Sequence, residues 1–162
     1  DEEFQTQDSG ASHTYPMEAG QIRKGGHIMI KGRPCKVTEV TSSKTGKHGH
    51  AKCHFIAADI FTGKKIEDLV PAGHNTNVPF VSKIELQCMD VDDEGFVSCM
   101  DDDGNTREDL KVPNEINPTP PGADELTATI KKHLEDGKDF SIVVLKACGF
   151  EQIIDTKVLT QN

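Results

Sequence analysis

Apolar and polar residues alternate with a period of two in short runs along most of the chain, and this rhythm predicts β-strands. In the first half the apolar and β-branched residues gather over residues 27–31, 35–42, 51–60 and 64–70. Gly32-Arg33-Pro34, a lysine- and glycine-rich stretch, and Thr62-Gly63 separate these runs as turns. Ile28 and Ile30 share one face, as do Ile56, Ala58 and Ile60, so these strands are expected to be half-buried. A small β-barrel follows. The second half repeats the rhythm over 84–91, 96–100, 106–112, 140–147 and 151–159, with Gly95 and Asp103-Gly104 at turns. The period changes once, over 122–137, where Leu126, Ile130 and Leu134 recur every four residues. Asp124 and Glu125 favour the start of a helix there and Gly137 its end. The chain is therefore mainly β.

Five strands and one helix suit an OB-fold, a class that often binds oligonucleotides. Charge opposes that use. The net charge of −9 conceals an asymmetry: residues 17–83 carry eleven Lys or Arg against five acids, a balance of +6, whereas 84–162 carry seven against eighteen, or −11. Phosphates entering the second half would meet carboxylates, and only Phe96, Phe140 and Phe150 offer stacking there. The asymmetry predicts two domains, a basic one over 17–82 and an acidic one over 83–162, joined by a short linker near 79–83. Residues 1–16 have four acids, no base and no periodicity, and are expected to form a flexible acidic tail. No apolar run approaches the length of a spanning helix, and no secretory signal is visible, so no membrane span is expected. Five scattered cysteines without a Cys-x-x-Cys pair argue against a disulfide framework or zinc ribbon, and fit a reducing, cytoplasmic compartment.

The most distinctive chemistry lies in residues 43–52. Gly46 and Gly49 flank Lys47 at what reads as a hairpin tip, and neither glycine carries a side chain that would cover the lysine. Lys44, Lys47 and Lys52 are cationic, His48, His50 and His54 lie close by, and together they would attract a polyanion. By composition alone this is a solvated basic turn. Gly46-Lys47 fails as a phosphate-binding loop, because His48 and Thr41 stand where that motif needs Ser or Thr and Gly. The His48, His50 and His54 cluster, with Cys53, has the donor types of a zinc site but no recognised zinc spacing. Cys53 and His54 are neighbours in a strand and point to opposite faces, which argues against a thiol nucleophile. Asp101-Asp102-Asp103 lacks calcium-loop spacing and reads as a solvated turn.

The core Thr45-Gly46-Lys47-His48-Gly49-His50-Ala51-Lys52, with Lys31-Gly32-Arg33-Pro34-Cys35-Lys36 before it and Asp59-Ile60-Phe61-Thr62-Gly63-Lys64-Lys65 and Glu67-Asp68 after it, closely resembles the eukaryotic translation initiation factor five-A family. The match covers most of the chain. The resemblance implies an N-terminal SH3-like β-barrel followed by a C-terminal OB-fold barrel with one helix. It implies a non-enzymatic factor without a cofactor, which binds the ribosome, promotes peptide-bond formation at stalled sites such as proline runs, and assists termination. Lys47 would be converted to hypusine from spermidine by deoxyhypusine synthase and deoxyhypusine hydroxylase. The modified arm would then contact the acceptor end of peptidyl-tRNA. Lys44, Thr45, Gly46, His48, Gly49, His50 and Lys52 would support that loop or touch RNA. A weak homodimer is left open. Residues 113–121 depart from the family as an enlarged proline-rich loop, and 151–162 lack its more typical tail. Two other readings stay open: an RNA-binding module working through an unmodified basic loop, and a metal-binding protein using the histidine cluster.

Overall fold

The computed structural model describes residues 13–44 and 51–160, in which eleven strands, two short 3-10 turns and one α-helix are found. It divides into two compact units, one of residues 1–80 with 147–149, the other of 81–146 with 150–162.

In the first unit β2 (His27–Ile30), β3 (Arg33–Lys44), β4 (Ala51–Asp59) and β5 (Lys65–Pro71) form an antiparallel sheet in chain order. β1 (Thr14–Glu18) and β6 (Asn75–Pro79) pair as a separate ribbon, and the whole is the expected SH3-like barrel. The β2–β3 turn consists of Lys31 and Gly32, with φ of 53° and 77°. Positive φ at both central residues is what a tight two-residue hairpin needs to match strand twist, so Gly32 is favoured there and Lys31 sits in a conformation few side-chain-bearing residues adopt.

Ile28 and Ile30 are buried as the alternation predicts. In β4 the expected face is reversed. Cys53, Phe55 and Ala57 form the core side, fully buried with Val37, Val78 and Ala19, while Ile56 and Ala58 are only half-buried on the other side. Both faces of β4 carry apolar residues, so alternation alone could not choose between them; the aromatic ring, with more area to remove from water, faces inward.

A β-bulge at Thr38 solves a spacing problem in β3. Val37 pairs with Ala57 and Val40 with Phe55, although the two valines are three residues apart. One extra residue on β3 brings both to the core side. Thr38 Oγ1 donates to the Ile56 carbonyl at 3.0 Å within this irregularity.

Two expectations about the chain's boundaries differ from the structure. Thr14, Tyr15 and Pro16, read as the end of a flexible tail, belong to β1. Their partners in β6 lie some sixty residues away, and neither strand alternates clearly, so no local signal marks them. The linker expected over 79–83 is the single residue Phe80, because Val78 and Pro79 are buried in β6 and β7 begins at Val81.

The second unit contains β7 (Val81–Val91), β8 (Phe96–Met100), β9 (Thr106–Lys111), α1 (Ala123–Glu135), β10 (Phe140–Ala147) and β11 (Phe150–Val158). The sheet order β11-β10-β7-β8-β9, with the helix falling between β9 and β10 in the chain, is the expected OB-fold. Leu86, Val97, Leu110, Phe140, Ile142 and Ile153 fill its core, capped by Ile130 with Leu126 and Leu134, the residues whose spacing predicted the helix. Gly137, at φ 67°, follows the helix end, and its amide bonds back to the Leu134 carbonyl. β9 and β11 are the two edges of this sheet, and Arg107 bridges them: its guanidinium bonds Glu151 through two nitrogens, at 2.7 and 3.1 Å.

Candidate functional site

The β3–β4 hairpin carries the predicted site. Its last described pairs are Ser43 with Lys52 and Lys44 with Ala51. The Ala51 carbonyl accepts the Ala72 amide at 2.9 Å, and Lys52 also pairs with Pro71, so the base of the connection is held from both sides of β4. Of the predicted site residues, Thr45, Gly46, Lys47, His48, Gly49 and His50 lie outside the described residues, and Lys44 is described only as the end of β3. Lys52 is exposed.

Direct partners in an antiparallel ladder share a face, so the register gives the outer surface of this hairpin. Thr41, His54 and Leu69 form one cross-strand row, and Ser43, Lys52 and Pro71 the next toward the connection. His54 Nε2 meets Glu67 Oε1 at 2.9 Å. Thus the one member of the histidine cluster among the described residues already has a carboxylate partner. Among the described residues no three His, Cys, Asp or Glu gather as a metal site.

Cys53 faces the core, 1% exposed, with Ser42 Oγ at 3.9 Å, whereas His54 stands on the outer face. The two therefore cannot act as a thiol and its base. The other cysteines are buried too. Burial pushes the Cys35 thiol up to about 12, helped by the Asp59 carboxylate. Burial also carries Cys88 to about 12, and raises Cys99 and Cys148.

Two ionic clusters escaped sequence reasoning. Asp59, 4% exposed, bonds Arg33 and fixes the β4–β5 turn. Its Oδ1 accepts the amides of Phe61 and Thr62, which explains why an acid stands at the head of Asp59-Ile60-Phe61-Thr62-Gly63. In the second unit Arg107 also bonds Asp109 through two nitrogens, at 2.7 and 2.9 Å. This guanidinium lowers the pKa values of Asp109 and Glu151, chiefly by hydrogen bonding. No spacing in the sequence announces either cluster, since their members lie up to 44 residues apart. The Asp101-Asp102-Asp103 run is the solvated turn expected of it: Asp101 Oδ1 accepts the amides of Asp103 and Asn105, and these backbone bonds hold its carboxyl below the usual range.

Comparison with known proteins agrees with this arrangement. Residues 12–74 match the family described as translation initiation factor 5A-like, N-terminal, and residues 80–157 match that described as eukaryotic elongation factor 5A hypusine, DNA-binding OB fold. The chain is similar to eukaryotic translation initiation factor 5A-3 of Arabidopsis thaliana, 53% identical over 154 residues that span 95% of this chain and 92% of that protein. It is 54% identical over 150 residues to eukaryotic translation initiation factor 5A-1 of Solanum lycopersicum, spanning 93% and 89%. Among solved structures, a translation initiation factor eif-5a family protein from Naegleria fowleri superposes with a TM-score of 0.81 at 50% identity, over 90% of this chain and 99% of that one. Eukaryotic translation initiation factor 5A from Methanococcus jannaschii gives 0.65 at 25% identity, over 91% and 96%.

Proposed function

The chain belongs to the eukaryotic translation initiation factor 5A family, and from that membership we propose that it acts on the ribosome through a hypusine formed at Lys47. Its relatives are named as translation factors and not as enzymes. The observation that carries the reading is the ladder closing at Lys44 and Ala51, which leaves Thr45-Gly46-Lys47-His48-Gly49-His50 as the whole connection between two strands tied into one sheet. Deoxyhypusine synthase would transfer the aminobutyl group of spermidine to the Lys47 ε-nitrogen, and deoxyhypusine hydroxylase would complete the arm. A long flexible polyamine can reach phosphates and 2′-hydroxyls at the acceptor end of peptidyl-tRNA. Its contribution is positioning of the substrate, not covalent chemistry. Lys44, His48, His50 and Lys52 support the loop or touch RNA backbone, and the site of action is the cytoplasm. Among the described residues no helix is long and apolar enough to cross a membrane.

The test is a reconstituted translation system with a proline-run message, comparing protein carrying the group on Lys47, as verified by peptide mass, with unmodified protein. Relief of the stall by the modified form alone is expected. Equal relief by both would favour the unmodified RNA-binding reading, and a native peptide spanning Lys47 with plain lysine mass would remove the modification from the account.

A further inference from the structure

The second unit holds an open groove of about 1000 Å³ that the Lys47 reading does not use. Ile84, Met100 and Leu159 give it apolar wall, and Ser141 on β10 lines it from within the sheet. Ser141 is only 7% exposed; its hydroxyl makes no hydrogen bond among the described residues and keeps its residual exposure toward the groove. A recessed hydroxyl keeps few water contacts, so a group that both donates and accepts can replace them there.

The charges of the lining select the ligand. Arg107 is committed to Asp109 and Glu151, Asp101 to the amides of its own turn, and Glu85 to Lys157 at 3.4 Å. Asp102 and Asp103 remain as exposed carboxylates without a described ion pair, against the single cation Lys83. The surrounding chain from 84 to 162 carries −11. Phosphodiesters would be repelled, and the lining contains no aromatic ring for a base to stack on.

We propose that this groove binds an extended segment of a partner protein that carries lysine or arginine. The aliphatic stem of such a side chain packs on Met100 and Leu159 while its charged head meets Asp102 and Asp103. The Ser141 hydroxyl bonds a peptide group of the same segment. This site is independent of Lys47 and opposite to its loop in charge.

The test uses the full chain and a fluorescent, end-blocked decapeptide of alternating lysine and alanine, with its glutamate counterpart and a single-stranded RNA of similar length as controls. Binding is read by anisotropy at low salt, and circular dichroism verifies the fold of each variant. The lysine peptide is expected to bind and the controls not to. Asp102→Lys with Asp103→Lys should weaken binding on the order of tenfold or more, and Ser141→Ala about threefold. Asp93→Lys with Glu94→Lys makes the same change in net charge on exposed residues outside the groove lining and should matter far less. Equal weakening by the two double variants, no effect of Ser141→Ala, absence of lysine-peptide binding, or tighter binding of the RNA would each overturn the proposal.

Discussion

Arg33 Nε donates to Asp59 Oδ2 at 2.6 Å, joining the first residue of β3 to the last residue of β4. The pair closes the end of the sheet farthest from the Lys47 connection, and the same carboxylate holds two backbone amides of the β4–β5 turn. Asp59→Ala would remove one acceptor shared by the Phe61 and Thr62 amides and the Arg33 guanidinium, at a cost of about 3 kcal/mol. Arg33→Ala should cost less, about 1–2 kcal/mol, because the carboxylate keeps two donors and the Arg33 side chain is 34% exposed already. Urea unfolding of both variants checks the order; a larger loss from Arg33→Ala would mean that the ion pair outweighs the turn.

The reversed face of β4 can be tested by truncation. Phe55→Ala should destabilise by about 3–5 kcal/mol, the range for an aromatic deleted from a packed core, whereas Ile56→Ala should cost on the order of 1 kcal/mol. Comparable losses in urea unfolding would contradict the assignment of Phe55 to the inner side.

Acid should weaken the second unit through Arg107. Hydrogen bonds from Arg107 depress the folded-state pKa of Glu151 below its ordinary 4.5 and that of Asp109 below 3.8. Because folded values lie below unfolded ones, this contribution is complete above about pH 4.5 and is lost as pH falls through the folded values. Arg107→Met should therefore cost about 1–2 kcal/mol at neutral pH, a modest figure because Asp109 is largely exposed, and should flatten the acid limb of the stability profile. Thermal melts of parent and variant from pH 3 to 7 that stay parallel would refute it.

Fold and function should separate at Lys47. Lys47→Arg keeps a cation in the glycine-flanked connection between β3 and β4. It should therefore change stability by no more than about 0.5 kcal/mol. Arginine presents no ε-amine to alkylate, so the variant should fail to support growth of cells depleted of the factor. Full rescue would contradict the proposed modification.

The fold was readable wherever local pattern and burial coincide. Ile28 and Ile30, the Leu126, Ile130 and Leu134 stripe, and Gly137 each acted within one turn or strand of their neighbours. The β1–β6 ribbon was invisible because Tyr15 pairs with Val78 far along the chain and no local pattern marks either strand. Arg33 with Asp59 and Arg107 with Glu151 were hidden for the same reason: charged residues are common, and only three-dimensional proximity distinguishes a pair. The candidate site was legible through the run Thr45 to Lys52 as a family resemblance, not through periodicity, and the structure adds the register of the strands that hold it.

The burial of all five cysteines has a practical side. Burial holds the Cys35 and Cys88 thiols up near 12, so little thiolate forms at neutral pH, and the surrounding core blocks large electrophiles. The native chain is thus already prepared for single-point labelling. A cysteine placed at Leu69, 57% exposed on the outer face of β5, should outpace every resident thiol toward a maleimide dye and put a reporter two cross-strand rows from the Lys47 connection without any native cysteine being replaced.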